Sequence, residues 1–149
     1  MRYLIVAHPD DEVLWFNPEE YDRIVIVFLG RLDIPSQTEG RRLAVEQHPL
    51  RERIILLGLT ESGTLRDKSL VAQHRHDENF RLLCHRLKQL EQVESVVTHN
   101  AMGEYQHPDH ILVHSACMAV FDCPVNGKNP EMYRRIQEVY KDHGCWTWY

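Results

Sequence analysis

The sequence predicts an α/β fold in which a parallel sheet is flanked by helices within a single compact domain. Short apolar runs rich in β-branched residues, such as RYLIV at 2–6 and RIVIVFL at 23–29, are typical of strands that are buried on both faces. Stretches with apolar residues at helical spacing separate these runs, and strands that alternate with helices favour a parallel sheet. We therefore expect a Rossmann-like arrangement.

Local signals place the individual elements along the chain. Proline is favoured at the first helical position, where its missing N–H costs nothing, so Pro9 and Pro108 indicate helix starts. The segment NGKNP at 126–130 is typical of a turn or loop and not of a domain boundary. In chain order, the predicted elements are a strand at 3–7, a helix from Pro9, a strand at 23–29, a helix at about 38–48, a strand at 53–57, a helix at about 69–93, a strand at 95–98, a helix from Pro108 and a helix at about 130–142.

Composition favours a globular protein and disfavours nucleic acid as its partner. The chain has 149 residues, of which 43% are hydrophobic and 26% are charged, as expected of one domain with a core. Its formal net charge of −5 disfavours nucleic acid, although GRR at 40–42 and HPLRER at 48–53 concentrate positive charge and keep that partner open. We expect no membrane span, because no apolar run approaches the ~20 residues that cross a bilayer.

Cysteine usage and the N-terminal segment predict a cytoplasmic location. The four cysteines form no CxxC pair, so we expect reduced thiols and neither disulfides nor a zinc finger. The apolar run in MRYLIVAHPDDE is too short, and too soon acidic, for a signal peptide. Histidine is more informative, since the chain has ten and several lie beside acids.

Two similar motifs follow two of the predicted strands. HPDDE at 8–12 comes directly after the first strand, and HPDH at 107–110 follows the fourth. In open parallel sheets, ligands bind beyond the carboxyl ends of the strands, so both loops should emerge at the same edge. Either motif alone has an ordinary explanation, because acidic residues favour a helix start and an HxxH pair arises by chance. Their repetition after two strands indicates a site.

The residue types in these motifs suit a metal ion. A histidine that precedes a helix shares a face with the residue three positions further on. His8 with Asp11, and His107 with His110, are therefore two candidate ligand pairs. Histidine nitrogens combined with a carboxylate oxygen suit a borderline cation such as zinc.

AHPDDEVL at 7–14, together with GEYQHPDH at 103–110, resembles the PIG-L/LmbE-like zinc-dependent N-acetylglucosamine deacetylases. The resemblance covers about residues 1–120. It implies a hydrolase that removes an acetyl group from an N-acetylated amino sugar or sugar conjugate. It also implies one Zn²⁺ per chain, held by His8, Asp11 and His110, and three such ligands leave a fourth zinc position open, as a catalytic site requires.

The resemblance also implies catalytic roles for four residues. Asp10 is expected to be the general base, since it neighbours a ligand without being needed as one. Tyr105 is expected to polarise the substrate carbonyl. A protonated His107 is expected to stabilise the charged intermediate or to protonate the leaving amine. Asp109 is expected to hold His107 in the required tautomer.

Substrate contacts are less sharply predicted. The family places an arginine at the start of the helix after the second strand, where this chain reads TEGRRLAVEQ. The spacing does not decide between Arg41 and Arg42, although we favour Arg41, and a solvated basic turn is the alternative for both. Asn100 is expected either to contact substrate or to cap its loop.

Several features depart from the family pattern. Trp15 and Phe16 stand where the family has a glycine-rich stretch, so we expect an aromatic cavity wall or a change in the core. Gln106 occupies a position that is often glycine. The aromatic tail GCWTWY at 144–149 suits an interface, which makes a homo-oligomer possible and would let another subunit supply a lid.

Two other functions fit the same motifs. A hydratase of an unsaturated carboxylic acid would use the same metal scaffold, and a cluster of carboxylate-binding arginines such as Arg41, Arg42 and Arg66 would favour it. A non-catalytic zinc-binding module is the other alternative, but it leaves Asp10, Tyr105 and His107 without a purpose.

Overall fold

The computed structural model describes residues 1–127, 139, 142 and 143, and they form a parallel sheet with helices against it. The five strands lie in the order β3-β2-β1-β4-β5, and every pair of neighbours is parallel. The predicted Rossmann-like fold is therefore confirmed. The strands are β1 (Arg2–Val6), β2 (Arg23–Gly30), β3 (Ile54–Thr60), β4 (Ser95–Thr98) and β5 (Val125–Gly127), and the helices are α1 (Asp11–Leu14), α2 (Pro35–Glu46), α3 (Leu70–Leu87), α4 (Gly103–Gln106) and α5 (Pro108–Val120).

The central strand β1 explains why its sequence is continuously apolar. It lies between β2 and β4, with Leu4 opposite both Ile24 and Val97. Residues on one face of β1, including Ile5, pack in a cluster with Leu83 of α3 and others from α5. The opposite face belongs to a second cluster, so apolar side chains are needed at every position.

The strand order places the two motif loops together. The chain runs from β1 outward to β2 and β3, and then returns to the other side of β1 to form β4. The change of direction lies between β1 and β4, and the crevice at such a point is where open α/β sheets bind ligands. HPDDE follows β1 and HPDH follows β4, as the sequence predicts.

Helix α2 and strand β3 are shifted by up to about three residues from their predicted bounds, and three other predictions differ more from the structure. The fifth strand, β5, lies partly where 126–130 was predicted to be a turn or loop, because Val125 and Asn126 pair with the edge of β4. The longest helix ends at Leu87 rather than near 93. The helix after β1 has only four residues and begins at Asp11, since Asp10 has a φ of 94° that no α-helix accepts. The predicted helix at 130–142 and the tail at 144–149 lie outside the described residues.

The cysteines in the described part of the chain are free thiols, as expected. They are Cys84, Cys117 and Cys123. Burial raises the pKa of Cys117 to about 12, which leaves its thiol protonated and unreactive. Among residues 1–127, 139, 142 and 143, no helix combines the length and the apolar character needed to cross a membrane.

Candidate metal centre

A cavity of about 640 Å³ opens where the strands end. This volume lies in the range of about 300–1,000 Å³ that is usual for small-molecule sites. The segments after β1, β2, β3 and β4 all contribute to its lining. Of the predicted site residues, those that line it are His8, Asp10, Asp11, Arg41, Tyr105, His107 and Asp109.

The first loop brings His8 and Asp11 together. Asp11 Oδ2 accepts a hydrogen bond from the backbone N–H of His8 at 2.8 Å, and it lies 3.2 Å from His8 Nδ1. The turn between them depends on Asp10, whose backbone N–H donates to Glu12 Oε2 at 2.9 Å. The left-handed φ at Asp10 keeps His8 and Asp11 buried while Asp10 itself stays exposed.

The second loop adds His110 to this pair. Pro108 is the first residue of α5, and His107 caps the helix because its Nδ1 accepts the backbone N–H of Asp109 at 3.1 Å. One turn into the helix, His110 Nε2 lies 3.3 Å from Asp11 Oδ2. A single carboxylate oxygen of Asp11 therefore faces histidines from both loops.

Each of these two histidines is held on its other nitrogen by a second carboxylate. Asp109 Oδ2 lies 3.0 Å from His8 Nε2, and Glu104 Oε2 lies 2.7 Å from His110 Nδ1. A neutral imidazole has one N–H, so if it donates outward its remaining lone pair faces Asp11. Lone pairs that face a carboxylate require either a proton or a cation, and a carboxylate on the far nitrogen is the usual partner of a metal-binding histidine.

The pKa values of His8 and Asp11 show that positive charge is favoured between these two side chains. Burial works to lower the pKa of His8, but hydrogen bonds with Asp109 and Asp11 raise this pKa to about 9. Burial works to raise the pKa of Asp11, but His110 and the neighbouring histidines hold it well below its usual range. His110 Nε2 and His99 Nδ1 are buried and have no hydrogen-bond partner among the described residues.

The spacing of these atoms fits a tetrahedral ion. Metal–ligand bonds of zinc to nitrogen and oxygen place neighbouring ligand atoms about 3.3 Å apart in a tetrahedral site. The two contacts of Asp11 Oδ2, at 3.2 Å to His8 Nδ1 and 3.3 Å to His110 Nε2, match this separation. Each of these two contacts suits a shared metal ion, although His8, Asp11 and His110 together are not one of the three groups of described residues whose ligand atoms all lie within 4.8 Å of one another.

Other combinations of ligands share members with this set. Within the described residues, three groups of side chains bring their ligand atoms close enough to hold a metal ion. They are His8–His107–His110, Asp11–His99–His110 and His8–Glu61–Asp109.

Hydrogen bonds remove one member from each of the first two groups. His107 Nδ1 already accepts the N–H of Asp109, so the proton of the neutral ring lies on Nε2 and no lone pair is left. His99 Nε2, which lies 3.5 Å from Asp11 Oδ2, already accepts the backbone N–H of Ala7 at 2.9 Å, whereas His99 Nδ1 has no hydrogen-bond partner among the described residues. These contacts count against His107, and against His99 through Nε2, as ligands in the first two groups.

The third group is already neutralised by other side chains. Glu61 Oε1 accepts a hydrogen bond from Arg41 at 2.6 Å and lies 3.5 Å from His8 Nε2. Asp109 Oδ2 lies 3.0 Å from the same nitrogen of His8. These two acids therefore anchor His8 and Arg41.

Asp10 and Tyr105 have the properties expected of catalytic groups. Burial by the cavity wall, together with the charge of Asp11, raises the pKa of Asp10 to about 6, near the value that suits a general base. Burial and the surrounding carboxylates also raise the pKa of Tyr105, so its hydroxyl keeps its proton. The Tyr105 ring lies edge-on to His107 and His110, with centroids 5.7 and 5.6 Å apart.

Two predictions about His107 need correction. Burial and the neighbouring His8 and His110 lower the pKa of His107 to about 3, so the ring is neutral rather than protonated. The carboxylate of Asp109 does not orient the His107 ring, because its Oδ2 lies 3.0 Å from His8 Nε2 instead. Asp109 fixes the His107 tautomer through its backbone N–H instead.

The structure also separates the predicted substrate residues. Arg41 lines the cavity, whereas Arg42 pairs with Glu39 and Glu46 on the outer side of α2, because neighbouring helical residues point in different directions. Of the two candidate arginines, the structure therefore places Arg41, and not Arg42, on the cavity wall. Asn100 caps its own loop, since its Oδ1 accepts the backbone N–H of Met102 at 2.8 Å.

The aromatic pair after HPDDE divides between cavity and core. Trp15 lines the cavity and also packs in the cluster below it, while Phe16 belongs to that cluster. The ring of Trp15 lies 6.1 Å from that of Tyr105. One wall of the cavity is therefore aromatic, as expected.

Two buried residues of the centre were missed from the sequence. His99 directly follows β4, much as His8 follows β1, and that position was a usable signal. Glu104 lies in the motif segment GEYQHPDH, but its contacts with His99 and His110 depend on a positive φ that the sequence does not announce.

No protein-family model matches the sequence, and no curated protein matches it. Function is therefore inferred from the residues of the site and from the motifs that carry them.

Proposed function

We propose that the protein is a zinc-dependent hydrolase that removes an acetyl group from an N-acetylated amino sugar or sugar conjugate. The observation that carries the proposal is the position of Asp11 Oδ2 between His8 Nδ1 and His110 Nε2, at the floor of a cavity that Asp10 also lines. Membership of the PIG-L/LmbE-like family is part of the proposal and rests on the two motifs.

His8, Asp11 and His110 would hold the ion. Two imidazole nitrogens and one carboxylate oxygen form the ligand set of many catalytic zinc sites, which keep one position open. When bound, such an ion supplies Lewis-acid chemistry, because it polarises an amide oxygen and favours deprotonation of water. Asp109 and Glu104 orient the two histidines for this task.

Asp10 carries the proton during amide hydrolysis. Its carboxylate takes a proton from the attacking water as the carbon–oxygen bond forms, and a pKa of about 6 leaves it ionised at neutral pH. When the carbon–nitrogen bond breaks, the same group returns that proton to the amine. The products are acetate and a free amino sugar, and the proton balance needs no second acid.

His107 and Tyr105 supply hydrogen bonds to the oxygen that gains charge. The tautomer of His107 places its proton on Nε2, and the Tyr105 hydroxyl stays protonated, so both are donors at neutral pH. Fixed donors in a partly enclosed cavity stabilise a developing oxyanion more than water does.

Arg41 and Trp15 are the proposed substrate contacts. Arg41 is held against Glu61 and the backbone carbonyl of Leu29, so a cationic donor is fixed on the cavity wall. Trp15 presents an aromatic ring on the same cavity. A sugar ring offers hydroxyl oxygens to the first and an apolar face to the second.

The hydratase alternative has a weaker basis. It would need arginines free to bind a carboxylate, but Arg41 is paired with Glu61 and Arg42 is outside the cavity. Three other arginines line the cavity: Arg31 and Arg66, which both lie against Asp33, and Arg75.

Acetate release tests the proposal. Purified protein is incubated with N-acetylglucosamine and its glycosides, and acetate and free amine are both measured, before and after a chelator and after zinc is restored. We expect equal amounts of both products, loss with the chelator, recovery with zinc, and loss in Asp10→Asn. Metal-loaded protein that releases no acetate from any N-acetylated sugar, or that instead consumes an unsaturated acid, would overturn the proposal.

A further inference from the structure

Glu104 is a buried carboxylate on which several donors converge. Its Oε2 lies 2.7 Å from His110 Nδ1 and 2.9 Å from His99 Nδ1. Its Oε1 accepts from both the backbone N–H and the side-chain amide of Asn100, at 3.2 Å each. Only 3% of the residue is exposed. One side chain therefore holds two histidine rings and the loop that joins them to β4.

The backbone at Glu104 is held in an unfavourable conformation. Its φ of 56° lies in the left-handed region, which is unfavourable for any residue with a Cβ atom. Such conformations persist where surrounding contacts fix them, and they cluster at functional sites. The contacts that fix this one are those to His99, His110 and Asn100.

His99 connects this carboxylate to the first loop. The rings of His99 and His110 are stacked, with centroids 3.9 Å apart and planes inclined by 15°. On its other side, His99 Nε2 accepts the backbone N–H of Ala7, the residue that precedes His8. A continuous set of contacts therefore runs from His110 through Glu104 and His99 to the end of β1.

We infer that Glu104 and His99 are positioning residues that fix the separation of the two metal-binding loops. Glu104 directs the lone pair of His110 Nε2 toward Asp11, and His99 ties this unit to the backbone beside His8. The inference rests on the metal-binding part of the proposed function, because the two loops must hold one ion jointly. It assigns neither residue to the ion or to substrate.

The variant Glu104→Gln tests the first half of this inference. An amide replaces one acceptor oxygen with an N–H₂ group, so either the histidine contacts or the Asn100 contacts lose their acceptor. We expect zinc affinity, measured by competition with a chromophoric chelator, to fall about 10–100-fold, as for other partners of metal-bound histidines. The matched control is Thr98→Val, which removes a buried side-chain hydrogen bond to the backbone carbonyl of Ile5 and leaves every carboxylate of the site in place, and for which we expect less than about a threefold change. Equal affinities in both variants would overturn the role of Glu104.

A measurement on the metal-free protein separates this inference from the proposed function. The His110 Nδ1–H proton should give a downfield NMR signal that exchanges slowly, because Glu104 accepts it, and this signal should move or vanish in Glu104→Gln. If wild-type protein binds no zinc but shows this behaviour, the proposed function fails while the positioning contact stands. If the signal is unaffected by Glu104→Gln, the positioning role is wrong whatever the metal content.

The variant His99→Phe tests the second half and does not alter Glu104. Phenylalanine keeps a ring against His110 but cannot accept the N–H of Ala7 or place a nitrogen 2.9 Å from Glu104 Oε2. We expect zinc affinity to fall about tenfold, with Leu112→Val on the core side of α5 as a control for general loss of packing. Unchanged zinc affinity in His99→Phe would overturn the positioning role of His99. This test does not depend on whether Glu104→Gln folds.

Discussion

The two H-P-D motifs share three letters but not a conformation. In the second, Pro108 opens a helix of 13 residues and His107 caps it. In the first, Pro9 precedes the helix, Asp10 adopts a φ of 94°, and α1 has only four residues. Sequence identity over three residues therefore leads to two different loops, because the backbone at the aspartate differs.

This difference gives the two aspartates different tasks. Asp10 lines the cavity with its side chain only partly buried. This partial burial, together with the charge of the nearby Asp11, raises the pKa of Asp10 to about 6. Asp109 is buried, and although burial works to raise its pKa, the hydrogen bond from His8 holds it below the usual range. Asp10 is thus suited to move a proton, whereas Asp109 is suited to orient a ligand.

The largest expected effect separates the two histidines of the second motif. His110→Ala removes a ligand, so we expect the metal content of purified protein to fall from about one equivalent to below about a tenth. His107→Ala leaves the ligand set intact, and we expect it to keep its metal but to lower kcat more than it raises KM. Elemental analysis of the two proteins, purified side by side, checks this. Metal loss in His107→Ala alone would exchange their roles.

The next effect compares the two aspartates directly. We expect Asp10→Asn to bind zinc normally and to lower turnover by about a hundredfold or more, because a general base is lost. We expect Asp109→Asn to lower zinc affinity about 10–100-fold, because His8 loses its orienting carboxylate. Affinity and turnover are measured on both variants. Loss of zinc in Asp10→Asn, or unchanged zinc affinity in Asp109→Asn, would contradict these two roles.

The pH dependence sharpens the role of Asp10. Its ionised form is required, so kcat/KM should fall about tenfold per pH unit as the pH drops below about 6. His107 has a pKa lowered to about 3 and stays neutral through this range, so His107→Ala should leave the position of the acidic limb unchanged. An acidic limb that moves in His107→Ala would assign it to that ring instead.

The smallest effect concerns stability. Glycine accepts a positive φ without strain, so Asp10→Gly should stabilise the metal-free protein by up to about 1 kcal/mol while abolishing turnover. The same change at Asp109 lies within α5 and should destabilise the protein by about 1 kcal/mol or more. Denaturant unfolding of both variants measures the contrast. Equal destabilisation by the two substitutions would show that the positive φ at Asp10 does not lower the stability of the protein.

Local signals predicted four of the five strands and several of the residues that line the cavity. Apolar β-branched runs identify buried strands wherever they lie, and strand order then brings the two motifs to one edge. Features that depend on a distant partner were not predictable. Strand β5 forms because β4 offers an edge, and the Asp109 carboxylate reaches His8 across 101 residues rather than His107 two residues away.

In the proposed metal centre, the two motif loops together hold one ion through His8, Asp11 and His110. The most direct measurement is a crystal structure of zinc-loaded protein with anomalous scattering recorded at the zinc edge. We predict one peak per chain, bonded to His8 Nδ1, Asp11 Oδ2 and His110 Nε2, with His107 outside the ligand set. A peak bonded to His107, a peak between Glu61 and Asp109, or no peak in this cavity would contradict the account.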